Sequence, residues 1–250
     1  MQKAKAHNII PKEIFARSGM NPIKAPMARA LHCDIHRTQH ISHAHVGANL
    51  GQCYGAVQHA AVSISLQSMG VSILMIWLML ICLQTMSFWF RTAFGKADQC
   101  FGGTLEDPYM GLGQGCGGAP QSFFSASVLM INSHKRVGHG TQYLSCLSGV
   151  LFFLAAIVYV DDTDLLLRIR RFSDTEKDFA RQIQQALWDW GMIVMATGGY
   201  LKQKKCYVSL SFFHFKNGKA CLKKKGQLNT TPVVVPQPKG TDLPIPIIGP

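Results

Sequence analysis

The chain has 250 residues, 48% of them hydrophobic, enough for one large or two small packed domains and too many for a globally disordered chain. Its formal charge of +12, from 25 basic and 13 acidic residues, makes a polyanion the expected partner, with nucleic acid ahead of an anionic membrane surface. The eight cysteines (33, 53, 82, 100, 116, 146, 206 and 221) form no CxxC pair, which favours free thiols in a reducing compartment over a disulfide or zinc framework.

The N-terminus is polar and basic and shows no signal peptide, so an intracellular place, nuclear or cytoplasmic, is expected. Within residues 12–40 a helix is predicted to run through MARALHCDIHRTQH after Pro22 and Pro26. It sets His32, His36 and His40 at i, i+4 and i+8, with Cys33, His43 and His45 nearby. Imidazoles one turn apart can share a zinc ion, but a solvated polar face collects histidines as readily and is the preferred reading here. Helices are predicted at 56–70 and 73–92, joined at Gly70, and a Gly-rich segment follows from 95 to 119. Another helix, about 121–136, follows Pro120, and strands flank the acid pair Asp161-Asp162. A helix over 174–196 opens on Asp174 as its N-cap and stops at Gly198 and Gly199. Strands at 206–213 and 219–222 precede a tail from Thr230 that holds six of the 11 prolines and reads as an extended arm.

Helices and strands mix without strict alternation, which points to an α+β fold. Two apolar runs, 71–90 and 143–160, approach the length of a membrane span. The first carries Gln84, Thr85 and Ser87, and the second runs directly into two carboxylates, so buried core elements are the preferred reading. A non-enzymatic membrane-associated protein with two spans is the alternative.

Chemistry concentrates in four stretches: NLGQCYG (49–55), GLGQGCGGAP (111–120), YVDD (159–162) and TGGYLKQKKC (197–206). Adjacent carboxylates between strand-forming runs need solvent, a partner or a cation, because an unpaired buried carboxylate costs several kcal/mol. Alone, each stretch has an ordinary reading: a solvated turn, a flexible glycine loop, a basic surface. Their order and spacing, over roughly residues 9–222, resemble the palm of reverse transcriptases, the retroelement RNA-directed DNA polymerases.

That resemblance implies a palm whose small antiparallel sheet is centred on the YVDD hairpin and backed by helices at 56–70, 121–136 and 176–196. It divides the chain into partial fingers (1–48), palm (49–229) and Pro-rich tail (230–250). It implies two-metal nucleotidyl transfer with Mg²⁺, an RNA template, a DNA primer and deoxynucleotides as partners, and no membrane. Asp161 and Asp162 fall at the metal-binding acids, Gln114 and Gly115 in the loop that grips template and nucleotide, and Lys202 at the lysine near the triphosphate. Tyr54 matches the aromatic that screens the incoming sugar.

The first palm motif departs from the family. Asn49 stands where a metal-binding Asp is expected and Gly55 where a second acid often follows; no acid occurs from 35 to 97 to replace them. Asn offers a neutral carbonyl oxygen and no charge, so metal affinity should fall severely. The stretch IIPKEIFARSG (9–19) resembles a region well inside the fingers, and the upstream fingers and the thumb are expected to be missing. The expectation is a degenerate, truncated retrotransposon copy, inactive or nearly so.

Overall fold

The computed structural model describes residues 10–17, 20–113, 115–145, 148–171 and 173–223, with short strands at 233–235, 243–245 and 247–248. The helices are α1 (Lys24–Thr38), α2 (His59–Ser68), α3 (Ile73–Gln84), α4 (Ala119–Arg136) and α5 (Glu176–Ala196), with one further helical turn at Cys53–Ala56. The strands are β1 (His43–Gly51), β2 (Ser87–Thr92), β3 (Gly95–Gly102), β4 (Thr141–Leu144), β5 (Leu151–Leu154), β6 (Ala156–Tyr159) and β7 (Asp162–Arg168). After α5 come β8 (Tyr200–Leu201), β9 (Tyr207–Ser211), β10 (Phe213–Lys216), β11 (Lys219–Leu222), β12 (Val233–Val235), β13 (Leu243–Ile245) and β14 (Ile247–Ile248). This is a mixed α+β architecture.

Every residue of β1 is buried, because it has neighbours on both edges and both faces. The sheet order is β14-β9-β1-β7-β6, with β8 also paired to β1, and all pairings but β14 to β9 are antiparallel. Alternation along β1 sends Ala44, Val46, Ala48 and Leu50 into the main core, against Leu165 and Leu167 of β7, Val208 of β9, Phe123 of α4 and Trp190 of α5. His43, His45, Gly47 and Asn49 take the other face, which α1 and a second cluster of Phe15, Ala25, Ile157 and Leu166 partly cover. At Gly47 a Cβ would lie 2.3 Å from the Tyr207 ring, so the close approach of β1 and β9 side chains requires glycine there.

The α4 helix buries three serines, Ser122, Ser125 and Ser127, whose hydroxyls donate back to carbonyls of Gly118, Ser122 and Phe123, so none of the three is left unpaired. The α5 helix opens with a capping box in which Thr175 and Asp178 exchange hydrogen bonds. Thr175, not Asp174, is the N-cap; the Asp174 carboxylate instead accepts from the Arg171 amide at 3.0 Å.

Other boundaries also move. The segment expected as one helix over 73–92 stops at Gln84, where Thr85 bonds back to Ile81, and Ser87–Thr92 becomes a strand paired with β3. Aromatic residues and Arg91 suit a pleated hairpin, and the unbroken apolarity of the run hid the change of period. The second run, 143–160, breaks into strands, and among the described residues no helix is long and apolar enough to cross a membrane. The two-span alternative is therefore not favoured. The boundary expected at 48 falls inside β1, so residues 43–48 share the palm-like sheet. In the tail, β12 and β13 form a hairpin that Gln184 of α5 grips through both polar groups of Val234, and β14 joins the edge of the sheet.

Candidate functional site

The acid pair lies on the hairpin between β6 and β7, where Tyr159 faces Asp162 across a two-residue turn of Val160 and Asp161. Val160 has φ 56°, a left-handed conformation that costs a β-branched residue about 1–2 kcal/mol. Its side chain packs on the main core, which holds the strained turn in place. Strain of this kind is retained where a turn must aim particular groups.

Register brings Asn49 of β1 opposite Asp162 of β7. Asn49 is 8% exposed, and its Nδ2 donates to Asp162 Oδ1 at 2.7 Å. The amide orientation is fixed chemically, since a carboxylate can only accept. Asp161 is tied to β1 by its backbone, its carbonyl accepting from the Leu50 amide at 3.0 Å. Its side chain lines a cavity of about 480 Å³ with Asn49, Tyr54, Tyr109, Lys202 and Lys205. Asp162 instead lines a neighbouring cavity of about 300 Å³ with Arg29, Asn49, Asp164, Lys205 and Tyr207. Asn49 and Lys205 thus stand between two cavities into which the adjacent aspartates diverge.

Tyr54 packs on Phe123 with ring centroids 5.4 Å apart, and its hydroxyl pKa is raised by burial and by the neighbouring Cys53 and Asp161. Its carbonyl accepts from the Leu112 amide at 2.7 Å, joining the first motif to the glycine loop. That loop is pinned again by His59, whose Nε2 donates to the Gly111 carbonyl at 2.6 Å. Gly111, at φ 84°, lies so close to Gly55 that a Cβ would sit 2.4 Å from its carbonyl oxygen. Gln114 lies outside the described residues; Gly115 is exposed and lines neither cavity. The Lys202 amide donates to the Asn49 carbonyl at 2.7 Å and its side chain lines the Asp161 cavity.

Among the side chains of these cavities that the sequence did not single out are Arg29, Asp164, Lys205 and Tyr207. Arg29 donates to Asp164 at 3.3 Å and to the Tyr207 hydroxyl at 3.1 Å. Burial raises the Asp164 pKa, and Arg29 opposes that rise. Alternation along β7 puts Asp164 on the same face as Asp162, a signal readable in YVDDTD. Lys205 was legible only as part of a basic run; one turn of 3-10 helix, Gln203–Lys205, directs it to the boundary of the two cavities.

A pair of hard divalent cations needs several converging oxygen donors, most of them charged. The residues present do not fit it. The adjacent aspartates diverge, Asp162 is engaged by a neutral amide, and among the described residues no three His, Cys, Asp or Glu side chains are arranged to hold a metal ion. The same holds for the histidines of α1. His32 and His36 turn inward toward His43 and Tyr143, with ring centroids 4.5–6.0 Å apart, whereas His40 lies beyond the helix end at φ 54° and packs on Phe213. They form a buried neutral cluster where a solvated helix face was expected.

No family model and no curated protein sequence matches the chain. Solved structures do match. The fold is similar to that of telomerase. Apo telomerase from Candida tropicalis, truncated of its C-terminal domain, superposes with TM-score 0.52 at 9% identity over 82% of this chain. Apo telomerase from the same organism gives TM-score 0.51 at 10% identity over 88%. The chain spans 38% and 37% of those telomerase chains, so it matches little more than a third of either. At such identities the likeness is one of fold alone.

Proposed function

We propose that the chain is a reverse-transcriptase palm of retrotransposon descent that binds nucleic acid and has lost, or nearly lost, two-metal nucleotidyl transfer. The observation that carries this reading is the hydrogen bond from Asn49 to Asp162. In a palm, a carboxylate in the place of Asn49 would face Asp162 and Asp161, and only cations would hold the three together. An amide there donates to Asp162 and takes the place of one charged metal ligand. Mg²⁺, deoxynucleotides, an RNA template and a DNA primer are the ligands such a site would have served, in a nuclear or cytoplasmic setting. The strained Val160 turn, the Asp161 cavity flanked by Lys202 and Lys205, and the telomerase-like fold support a palm; retrotransposon descent is inferred from the order of the four sequence stretches.

The test restores the acids. Asn49→Asp and Gly55→Asp together should raise Mn²⁺ affinity, followed through the electron-spin signal of the free ion. A Cβ at position 55 meets nothing within 4 Å, so the second substitution is sterically free. Adding Asp161→Ala should abolish the gain. No gain, or a gain that survives Asp161→Ala, refutes the assignment of Asn49 to the metal-binding position. Primer extension by the double variant is the secondary readout.

A further inference from the structure

The β2–β3 hairpin turns its aromatic side chains outward. Trp89, Phe90 and Phe101 are 46%, 68% and 49% exposed, and none of them packs in either core cluster. On one face the rings form a row: Tyr109, Phe88, Phe101 and Phe90 follow one another with centroids 5.2, 5.4 and 5.1 Å apart. Phe88 pairs with Phe101 across the ladder, and alternation along β2 sends Trp89 to the opposite face, where Lys96 Nζ lies 4.1 Å from its ring centroid. The inner end of the row, Tyr109, follows the hairpin in the chain; its amide donates to the Gln84 carbonyl at 2.8 Å, and its side chain lines the Asp161 cavity. The outer end, Phe90, is open to solvent. The row therefore leads from the Asp161 cavity to the surface.

Contiguous exposed rings mark a surface that takes a partner. The charges near the outer end select an anionic one. Arg91 and Lys96 are direct partners across the ladder, a like-charge pair that destabilises a hairpin until an anion lies between the two, and neither is ion-paired among the described residues. Asp98 is the hairpin's one acid. We propose that the row is a stacking track for a single-stranded nucleic acid that runs to the Asp161 cavity. Unpaired bases lie against Phe101 and Phe90, and a phosphate of the strand meets Arg91. A duplex hides its base faces, so only a single strand can use the rings, and stacking tolerates any base. The proposal rests on the nucleic-acid binding proposed above and names the path of the strand.

The experiment measures fluorescence anisotropy of labelled oligo(dT) and of an abasic oligonucleotide of equal length on the full chain at fixed salt. Phosphate attraction is common to both, so the ratio of affinities reads stacking. Oligo(dT) should bind about tenfold more tightly, within the range of one stacked base. Phe90→Leu with Phe101→Leu keeps apolar volume and should cut the ratio about fivefold without changing abasic affinity; Phe90→Leu alone, at an exposed position, should lower it in the same direction. Trp89→Leu, on the opposite face, should leave the ratio intact. Arg91→Gln should weaken both oligonucleotides equally. Equal affinity of the parent chain for the two oligonucleotides overturns the track and leaves phosphate binding standing, whereas binding of neither overturns the nucleic-acid reading as well. A ratio that survives the double substitution, or that Trp89→Leu lowers as much, also overturns the track. Sedimentation of the chain alone and with phosphatidylcholine vesicles covers the other occupants: self-association or vesicle binding that the double substitution removes while the ratio stays unchanged would assign the rings to a second copy or a lipid surface and sink the proposal.

Discussion

An amide and a carboxylate at position 49 have nearly the same shape and opposite effects on Asp162. The amide donates to it at 2.7 Å; a carboxylate in the same place would set two acceptors against each other. Asn49→Asp should therefore destabilise the chain in EDTA. A hydrogen bond to a charged group contributes about 1.5–3 kcal/mol, and the exposure of Asp162 reduces this to about 1 kcal/mol. Millimolar Mn²⁺ should recover the loss, because the ion would bind the folded carboxylates, Asp161 among them, and not the unfolded chain. Chemical denaturation in EDTA and in Mn²⁺ makes the comparison. Equal stability of Asn49→Asp and the parent chain in EDTA would show that the hydrogen bond does not stabilise the hairpin.

The contact of α1 with β1 and β4 buries His32, His36 and His43, with His45 on the same face of β1. Burial depresses the pKa of each, to about 4 for His43 and His45, with neighbouring positive charge adding to the effect. His134, in the main core, is held at about 3 for the same first reason. A folded histidine that resists protonation binds fewer protons than the unfolded one, so its stabilising effect is complete above pH 6.5. That effect is lost as pH falls from 6.5 toward 4, by up to about 1.4 kcal/mol per pH unit per histidine. Denaturation midpoints at pH 7, 6 and 5 should drop progressively, and His32→Phe should flatten the profile by one proton. A profile unchanged by His32→Phe would place that ring in water. The cluster also shows where the sequence was legible. Helical periodicity marked α1 and α5, and Pro120 marked the start of α4, but helical spacing alone could not tell a solvated histidine face from one turned against a strand. His40 fails the i+8 pattern because α1 ends at Thr38. The β2 strand was hidden by apolar composition, which carries no period, and Asp164 by attention to the adjacent pair, although alternation along β7 already set it beside Asp162. The divergence of Asp161 and Asp162 depends on the turn at Val160, whose left-handed backbone no local residue preference announces.

Across the whole molecule, the formal charge of +12 favours a polyanionic partner, and a basic run lies beside the acid hairpin. Lys202, Lys204 and Lys205 are exposed beside the Asp161 cavity, and no acid occurs between residues 35 and 97 to offset them from the β1 side. Each lysine that neutralises a phosphate releases counterions, so single-strand affinity should fall with log salt at a slope of about −0.7 per contact. About four contacts would cost roughly 50-fold between about 50 and 200 mM salt. Oligo(dT) serves as the probe. Replacing Lys202, Lys204 and Lys205 together by alanine should lower affinity at every salt concentration and reduce the slope by about 2, the sum of three lost contacts. Circular dichroism controls for folding, which the exposure of all three side chains leaves undisturbed. A slope near zero in the parent chain would remove nucleic acid as the partner of the positive charge. A parent slope that the triple substitution leaves intact would move the strand away from the acid hairpin and leave the Asp161 cavity without its polymerase role.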